Sequence, residues 1–130
     1  LIGLKEWSDS IQNLSTEALD KIIARDGNTS TYLYKLFVVA VIPAIGEEFI
    51  FRGLLTKMFA RITNNFHWGI VISSFLFSIL HFQPNNFIMF MMIGMLFGYL
   101  YWYTKDIKIT MLMHFIFNGV QITMFEFFPA

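Results

Sequence analysis

The chain has 130 residues, with nine basic side chains against nine acidic ones and no cysteine. Charged residues make up 14% of the chain and hydrophobic residues 56%, which argues against an ordinary soluble enzyme, whose charged share is about 25%. The zero formal net charge excludes nucleic acid as a partner, because phosphate binding needs a basic excess. The absence of cysteine excludes disulfides, thiolate nucleophiles and cysteine zinc sites. Because the first residue is leucine rather than methionine, we expect a segment of a longer protein.

The first 30 residues are polar and predict a leader that is partly helical. Ser15 or Thr16 is expected to cap a short helix, and Gly27 follows its predicted end. Such a helix would lie at the membrane surface or serve as a connector. Residues 31–130 would then form the core domain.

Four apolar segments follow the leader, and their length and composition predict membrane-spanning helices. We expect helix A over residues 32–60 with a bend at Pro43, helix B over 68–82, helix C over 87–103 and helix D over 109–128. The 43 residues from 62 to 104 contain no Asp, Glu, Lys or Arg, which fits two spans joined by the polar turn 83–86. Gly94 and Gly98 predict close approach of a neighbouring helix. The predicted fold is therefore an all-α, polytopic membrane helical bundle with about four transmembrane helices, located in the cell membrane.

The basic residues suggest an orientation. If the four helices alternate across the bilayer, one side carries Lys57, Arg61, Lys105 and Lys108, and that side should be cytoplasmic. Three basic residues on the opposite side weaken this prediction: Lys21, Arg25 and Lys35.

Ionisable residues in a bilayer core are costly, so each is a functional candidate. Three predicted helices carry a pair of residues four apart, and hence on one face: Glu48 with Arg52, Phe77 with His81, and His114 with Asn118. Taken singly, each pair also has a purely structural explanation, namely a buried ion network, an interfacial histidine or a helix-to-helix hydrogen bond.

The chemistry of the pairs differs. Glu48 and Arg52 can neutralise each other, whereas Glu47 lies about 100° round the helix, lacks that partner and suits a general base or acid. The Phe77 ring is expected to hold the rotamer of His81, and the imidazole of His114 can bind water or a metal.

Together these residues are sufficient for hydrolysis. Glu47 would take a proton from water, His81 and His114 or a metal would orient that water, and Asn118 would donate to the oxyanion.

The order of the motifs also resembles a known family. Glu47-Glu48-x-x-x-Arg52, then Phe77-x-x-x-His81, then His114-x-x-x-Asn118 on successive apolar helices are similar to the three motifs of the CPBP intramembrane proteases. This family includes the type II CAAX prenyl endopeptidases and the bacterial Abi, or bacteriocin self-immunity, proteins. The resemblance covers about residues 32–128.

The resemblance implies a multi-pass membrane peptidase with assigned residue roles. Glu47 would be the catalytic glutamate that activates water, and Asn118 would help to stabilise the oxyanion. His81 and His114 would position the water or hold a metal. The supporting residues would be Glu48 and Arg52.

Cofactor, substrate and function class stay open at this point. Zinc or another divalent metal could bind to His81 and His114, but a Glu47 that ligated the metal could not also be a free base. The expected partners are the lipid bilayer and a peptide or protein substrate reached from the membrane, such as a lipidated C-terminal peptide, a small peptide or a membrane protein. The alternatives are a non-catalytic immunity or scaffold protein that binds a partner with the same polar cluster, and a transporter or ion-pathway fragment.

The positions of the three candidate residues along their helices give a further expectation. If each helix is straight, Glu47, His81 and His114 lie about 13, 20 and 8 Å from the cytoplasmic helix ends. A single site requires these depths to converge.

Overall fold

The computed structural model describes residues 2–24 and 27–128, and over those residues it consists of helices joined by short turns, which confirms the all-α class. The α-helices are α1 (Ile2–Ile23), α2 (Thr29–Leu36), α3 (Ile42–Glu48), α4 (Thr56–Thr63), α5 (Phe66–Leu80), α6 (Phe87–Thr104) and α7 (Ile107–Phe127). Two π-helical segments, Phe37–Val41 and Phe49–Leu55, flank α3, and the 3-10 turn Pro84–Asn86 precedes α6. Arg25, in the orientation argument, lies outside the described residues.

The leader helix is longer than predicted. α1 runs for 22 residues, so the capping prediction at Ser15 and Thr16 is wrong. Both hydroxyls donate to the carbonyl of Gln12, at 2.9 and 3.0 Å, which satisfies them inside a continuous helix. α1 contacts the turn Pro84–Asn86, and its role as interfacial or connector helix stays a prediction.

Predicted helix A corresponds to one continuous helical path over residues 29–63, called here the composite helix. The first π-helical segment lies just before Pro43, and the Ile42 N–H donates to the Phe37 carbonyl five residues back. Because Pro43 has no N–H, it cannot donate to the Val39 carbonyl four residues before it. Asn118 on α7 supplies that donor instead, with its Nδ2 3.1 Å from the Val39 oxygen.

The chain turns back at the end of the composite helix. Asn64 adopts a left-handed conformation, with φ of 50°, and ends α4. The Asn65 side chain then accepts from the His67 and Trp68 N–H groups and caps α5.

α5 and α6 form an antiparallel pair in close contact, as Gly94 and Gly98 predict. A Cβ on Gly94 would lie 2.9 Å from the Ser74 Cβ, and one on Gly98 would lie 2.7 Å from the Ile70 Cγ2. The two glycines therefore allow the helices to approach more closely than a side chain would permit.

One helical stretch of the described residues, Pro84–Thr104, is long and apolar enough to cross a membrane. It has 21 residues, and its most apolar 18-residue window has a mean hydropathy of 1.5 and is only 17% buried. Outward residues such as Ile88, Met92 and Leu96 are more than three-fifths exposed, which suits a lipid environment better than water. α5 has 15 residues, fewer than the roughly 20 that span a bilayer, so the count of four spans stays a prediction.

Candidate active site

Glu48 is the buried centre of the polar cluster. Its Oε1 accepts from the Arg52 Nη1 at 3.0 Å and from the His114 Nδ1 at 2.8 Å. Glu48 is 0% exposed and Arg52 1% exposed, so both charges lie inside the helix bundle. The predicted Glu48–Arg52 pair is confirmed, and the bond to His114 joins α3 to α7.

Arg52 also connects the composite helix to α6. Its Nη2 donates to the Gly94 carbonyl at 2.9 Å, and its Cζ lies 5.1 Å from the centroid of the Phe77 ring and 5.5 Å from that of Phe97. The guanidinium thus replaces water contacts with a carboxylate, a carbonyl and aromatic faces. This arrangement makes a full positive charge tolerable beside the Glu48 carboxylate.

Glu47 lies at the point where both histidines meet. Its Oε2 is 3.9 Å from the Nε2 of His81 and 3.9 Å from the Nε2 of His114. Glu47 lies on α3, His81 at the C-terminal end of α5 and His114 within α7. The three side chains therefore meet although the depths estimated for straight helices differ, and the composite helix departs from that assumption at two π-helical segments.

The hydrogen bonds of the two imidazoles fix which nitrogen faces Glu47. The His81 Nδ1 lies 2.7 Å from the Phe77 carbonyl oxygen, which can only accept, so this nitrogen donates. The His114 Nδ1 donates in the same way to the Glu48 carboxylate. The Nε2 of each ring therefore faces Glu47, with a lone pair there in a neutral ring and an N–H in a doubly protonated one.

The ring of His81 is held between two phenylalanines. Phe77 lies 4.3 Å away between centroids, as the sequence predicts, and Phe90 stacks on His81 at 4.2 Å with an interplanar angle of 25°. Sequence reasoning missed Phe90. Residue 81 lies three residues before the turn Pro84–Asn86 and residue 90 lies four residues after it. This near-symmetry of a helical hairpin is the signal that could have indicated the contact.

The site has an exposed side and a buried side. The side chains of Glu47 and His81 are 32% and 24% exposed, whereas those of His114 and Glu48 are 4% and 0% exposed. The Glu47 Oε2 itself is buried and has no hydrogen-bond partner among the described residues. A buried carboxylate oxygen of this kind needs a polar partner, which a water or a substrate group can provide.

The spacing of the three atoms fits water better than zinc. Tetrahedral zinc with bonds of about 2.0–2.1 Å places its ligand atoms about 3.4 Å apart, whereas the Glu47 Oε2 is 3.9 Å from each histidine nitrogen. Over residues 2–24 and 27–128, no group of three His, Asp or Glu side chains is already arranged as a metal site. A water oxygen about 2.8 Å from each atom is compatible with these separations. The zinc hypothesis at His81 and His114 stays a prediction.

Asn118 occupies a different position from the one expected. Its amide makes the helix-to-helix bond to the Val39 carbonyl described above, and its side chain is half-buried. Asn118 and His114 share a face of α7, but among the hydrogen bonds of the described residues none joins their side chains. The predicted role of Asn118 at the oxyanion is not tested by this geometry.

Comparison with known proteins identifies a family. A family profile described as "Type II CAAX prenyl endopeptidase Rce1-like" matches residues 29–120. The chain is also 30% identical over 89 residues to a Bacillus subtilis (strain 168) protein named "Putative membrane peptidase YdiL". The alignment covers 68% of this chain and 36% of that relative, so the chain spans about a third of its relative's length. No solved structure matches the chain significantly.

Proposed function

The chain belongs to the Rce1-like family of type II CAAX prenyl endopeptidases, and from that membership and the geometry around Glu47 we propose that it is an intramembrane endopeptidase that uses a glutamate-activated water. The single observation that carries the proposal is the convergence of two histidine nitrogens on one buried, unbonded carboxylate oxygen. The Glu48 Oε2 is also buried without a partner, so it is the two histidine nitrogens beside the Glu47 Oε2 that support a base with an oriented water at this position.

The first step is attack on the peptide carbonyl. A water bound beside Glu47 gives one proton to the Oε2 as its oxygen bonds to the carbonyl carbon. The lone pair of the His81 Nε2 accepts the second hydrogen of this water and so orients it. The tetrahedral intermediate carries its negative charge on the former carbonyl oxygen.

The second step is cleavage of the C–N bond. Protonated Glu47 returns its proton to the leaving nitrogen, which departs as an amine, and the carbonyl group reforms as the acid. The proposed oxyanion donor is His114 in its doubly protonated form, which carries a proton on each nitrogen before the water attacks and keeps both throughout. Its Nδ1–H donates to the Glu48 carboxylate, and its Nε2–H would donate to the oxyanion. Arg52 keeps Glu48 in place, and Asn118 stays a proposed second donor.

The substrate is proposed from the family and from the exposed side of the site. The family description names prenyl endopeptidases, which makes a lipidated C-terminal peptide the first substrate to test, with small peptides and membrane proteins after it. The exposed apolar surface of the helices is suited to a substrate that arrives through the bilayer.

The test is Glu47→Gln in the purified full-length protein with a lipidated reporter peptide. The amide keeps the size of the side chain and removes the base, so we expect cleavage to fall by about 10²- to 10⁴-fold. Glu17→Gln is the matched control, since Glu17 is exposed on α1, and it should cleave like the parent. Full cleavage by Glu47→Gln would overturn the proposal and favour the non-catalytic immunity or scaffold function.

The same assay separates the two versions of the chemistry. Cleavage in a metal-free preparation with chelator present is the expected result for glutamate-activated water. Loss of cleavage on chelation, with recovery on added zinc, would show that a metal is required and would give His81 and His114 the ligand role.

A further inference from the structure

The end of the molecule formed by the α4–α5 and α6–α7 connections carries an unpaired positive charge. Four cations lie there against one acid, Asp106, whose carboxylate accepts from the Lys108 N–H as the cap of α7. The four cations are Lys57, Arg61, Lys105 and Lys108, and all are exposed. None of them forms an ion pair within the part of the chain that the structure describes.

The same end is rich in aromatic rings that contact these cations. The Lys57 Nζ lies 5.4 Å from the centroid of Tyr101, and the Lys105 Nζ lies 5.4 Å from Phe66 and 5.5 Å from Trp102. Amphipathic rings beside lysines are typical of the headgroup level of a bilayer.

An open cavity of about 340 Å³ lies within this surface. Its lining combines two cations, two amides and an apolar floor: Lys57, Arg61, Asn64, Asn65, Ala60 and Phe66. The cations and amide N–H groups suit a phosphate, and the apolar floor suits the start of an acyl chain.

Among the described residues, two basic side chains assigned to the opposite side, Lys21 and Lys35, form ion pairs, and Lys21 pairs with Glu17 on α1. Lys35 is buried and paired with Glu126 at 2.9 Å. The asymmetry favours a ligand found at one face of a membrane, and an anionic leaflet attracts basic side chains by charge.

We propose that the cavity between α4 and α5 binds the phosphate headgroup of an anionic phospholipid, with Lys57 and Arg61 as the charged contacts. The site is separate from Glu47 and its histidines and does not depend on peptidase activity.

The test measures thermal unfolding of the full-length protein in a zwitterionic detergent, with short-chain phosphatidylglycerol as the probe. Phosphatidylglycerol should raise the unfolding midpoint by roughly 5 °C at saturation, and phosphatidylcholine should not. Glycerol phosphate, the free headgroup, should give no shift at the same concentration. An equal shift with glycerol phosphate would overturn the lipid proposal in favour of a soluble phosphate ligand.

The matched variants distinguish binding in the cavity from a general attraction between the lipid and the positive charge at this end of the molecule. Lys57→Gln/Arg61→Gln should weaken phosphatidylglycerol binding by roughly 10- to 30-fold. Lys105→Gln/Lys108→Gln removes the same charge from the same end, outside the cavity, and should retain most of the binding. An equal loss of phosphatidylglycerol binding in both variants, or no loss in either, would overturn the proposal. Lys57→Arg/Arg61→Lys keeps both charges and should bind phosphatidylglycerol like the parent.

Discussion

At the scale of single residues, the conformation of His81 is determined from three sides. Its Nδ1 donates to the Phe77 carbonyl, and its ring is enclosed by the Phe77 and Phe90 rings. A histidine at the end of a helix would otherwise sample several rotamers, and the one observed here brings Nε2 to 3.9 Å from the Glu47 Oε2. In the proposed mechanism, Phe90 would therefore be a positioning residue for the nitrogen that orients the water.

Phe90→Leu should reduce kcat roughly tenfold and leave KM within about twofold, because His81 loses its stacked partner while the substrate surface is retained. Peptide cleavage measured over a range of substrate concentrations separates the two constants. Phe90→Tyr keeps the ring and should restore most of kcat.

Phe75→Leu is the control, since Phe75 makes an edge contact with Phe87 rather than with His81. A kcat for Phe90→Leu equal to that of Phe75→Leu would contradict the positioning role.

At the scale of elements, α7 compensates for a defect in the composite helix. Pro43 leaves the Val39 carbonyl without its helical donor, and the Asn118 Nδ2 provides one across the helix interface. An unsatisfied carbonyl inside an apolar bundle is unfavourable, so Pro43 and Asn118 should be energetically coupled.

A double-mutant cycle measures this coupling. Asn118→Ala should lower the free energy of unfolding by about 1 kcal/mol in the parent and by clearly less in a Pro43→Ala background, where the substituted position regains an N–H for the Val39 carbonyl. Additive losses would show that the two residues act independently. A fall in kcat with Asn118→Ala that persists in the Pro43→Ala background would instead support the oxyanion role.

The helices and the residue pairs four apart show which parts of the structure could be predicted from the sequence. Glu48–Arg52 and Phe77–His81 were predictable because helix periodicity brings residues four apart together. The Arg52–Gly94 bond joins residues 42 apart, and no local pattern encodes it. The π-helical segments were also missed, because their five-residue spacing depends on tertiary contacts and not on composition.

At the scale of the whole molecule, a buried ion pair joins the beginning of the core to its end. Lys35 on α2 and Glu126 on α7 are 91 residues apart, and their side chains are 1% and 5% exposed. Near them the Tyr32 hydroxyl lies 2.9 Å from the Thr123 Oγ1, and the Tyr32 ring meets Phe127 edge-on at 5.2 Å. These contacts place both ends of the chain's core on one side of the bundle.

Lys35→Met should lower the free energy of unfolding by about 3–5 kcal/mol, because it leaves the Glu126 carboxylate buried without a counter-ion. Lys35→Met/Glu126→Leu removes both charges and should recover most of that loss. Chemical unfolding in micelles measures both variants.

Lys21→Met is the comparison, since Lys21 and Glu17 form an exposed pair with side chains 73% and 66% accessible. The free energy of unfolding of this variant should fall by less than about 1 kcal/mol. A double variant as unstable as Lys35→Met would argue that packing at these positions, rather than charge, stabilises the bundle end.

The polar contacts between the composite helix and α7 also fix their alignment. Lys35 meets Glu126, Val39 meets Asn118, and Glu48 meets His114, so the two antiparallel helices are joined at three levels. A slip of α7 by one turn, about 5.4 Å, would break all three bonds together. The position of the His114 imidazole relative to Glu47 is therefore set partly by residues far from either. If the proposed hydrolysis takes place at Glu47, a substitution near the end of the bundle would slow it without contacting the substrate.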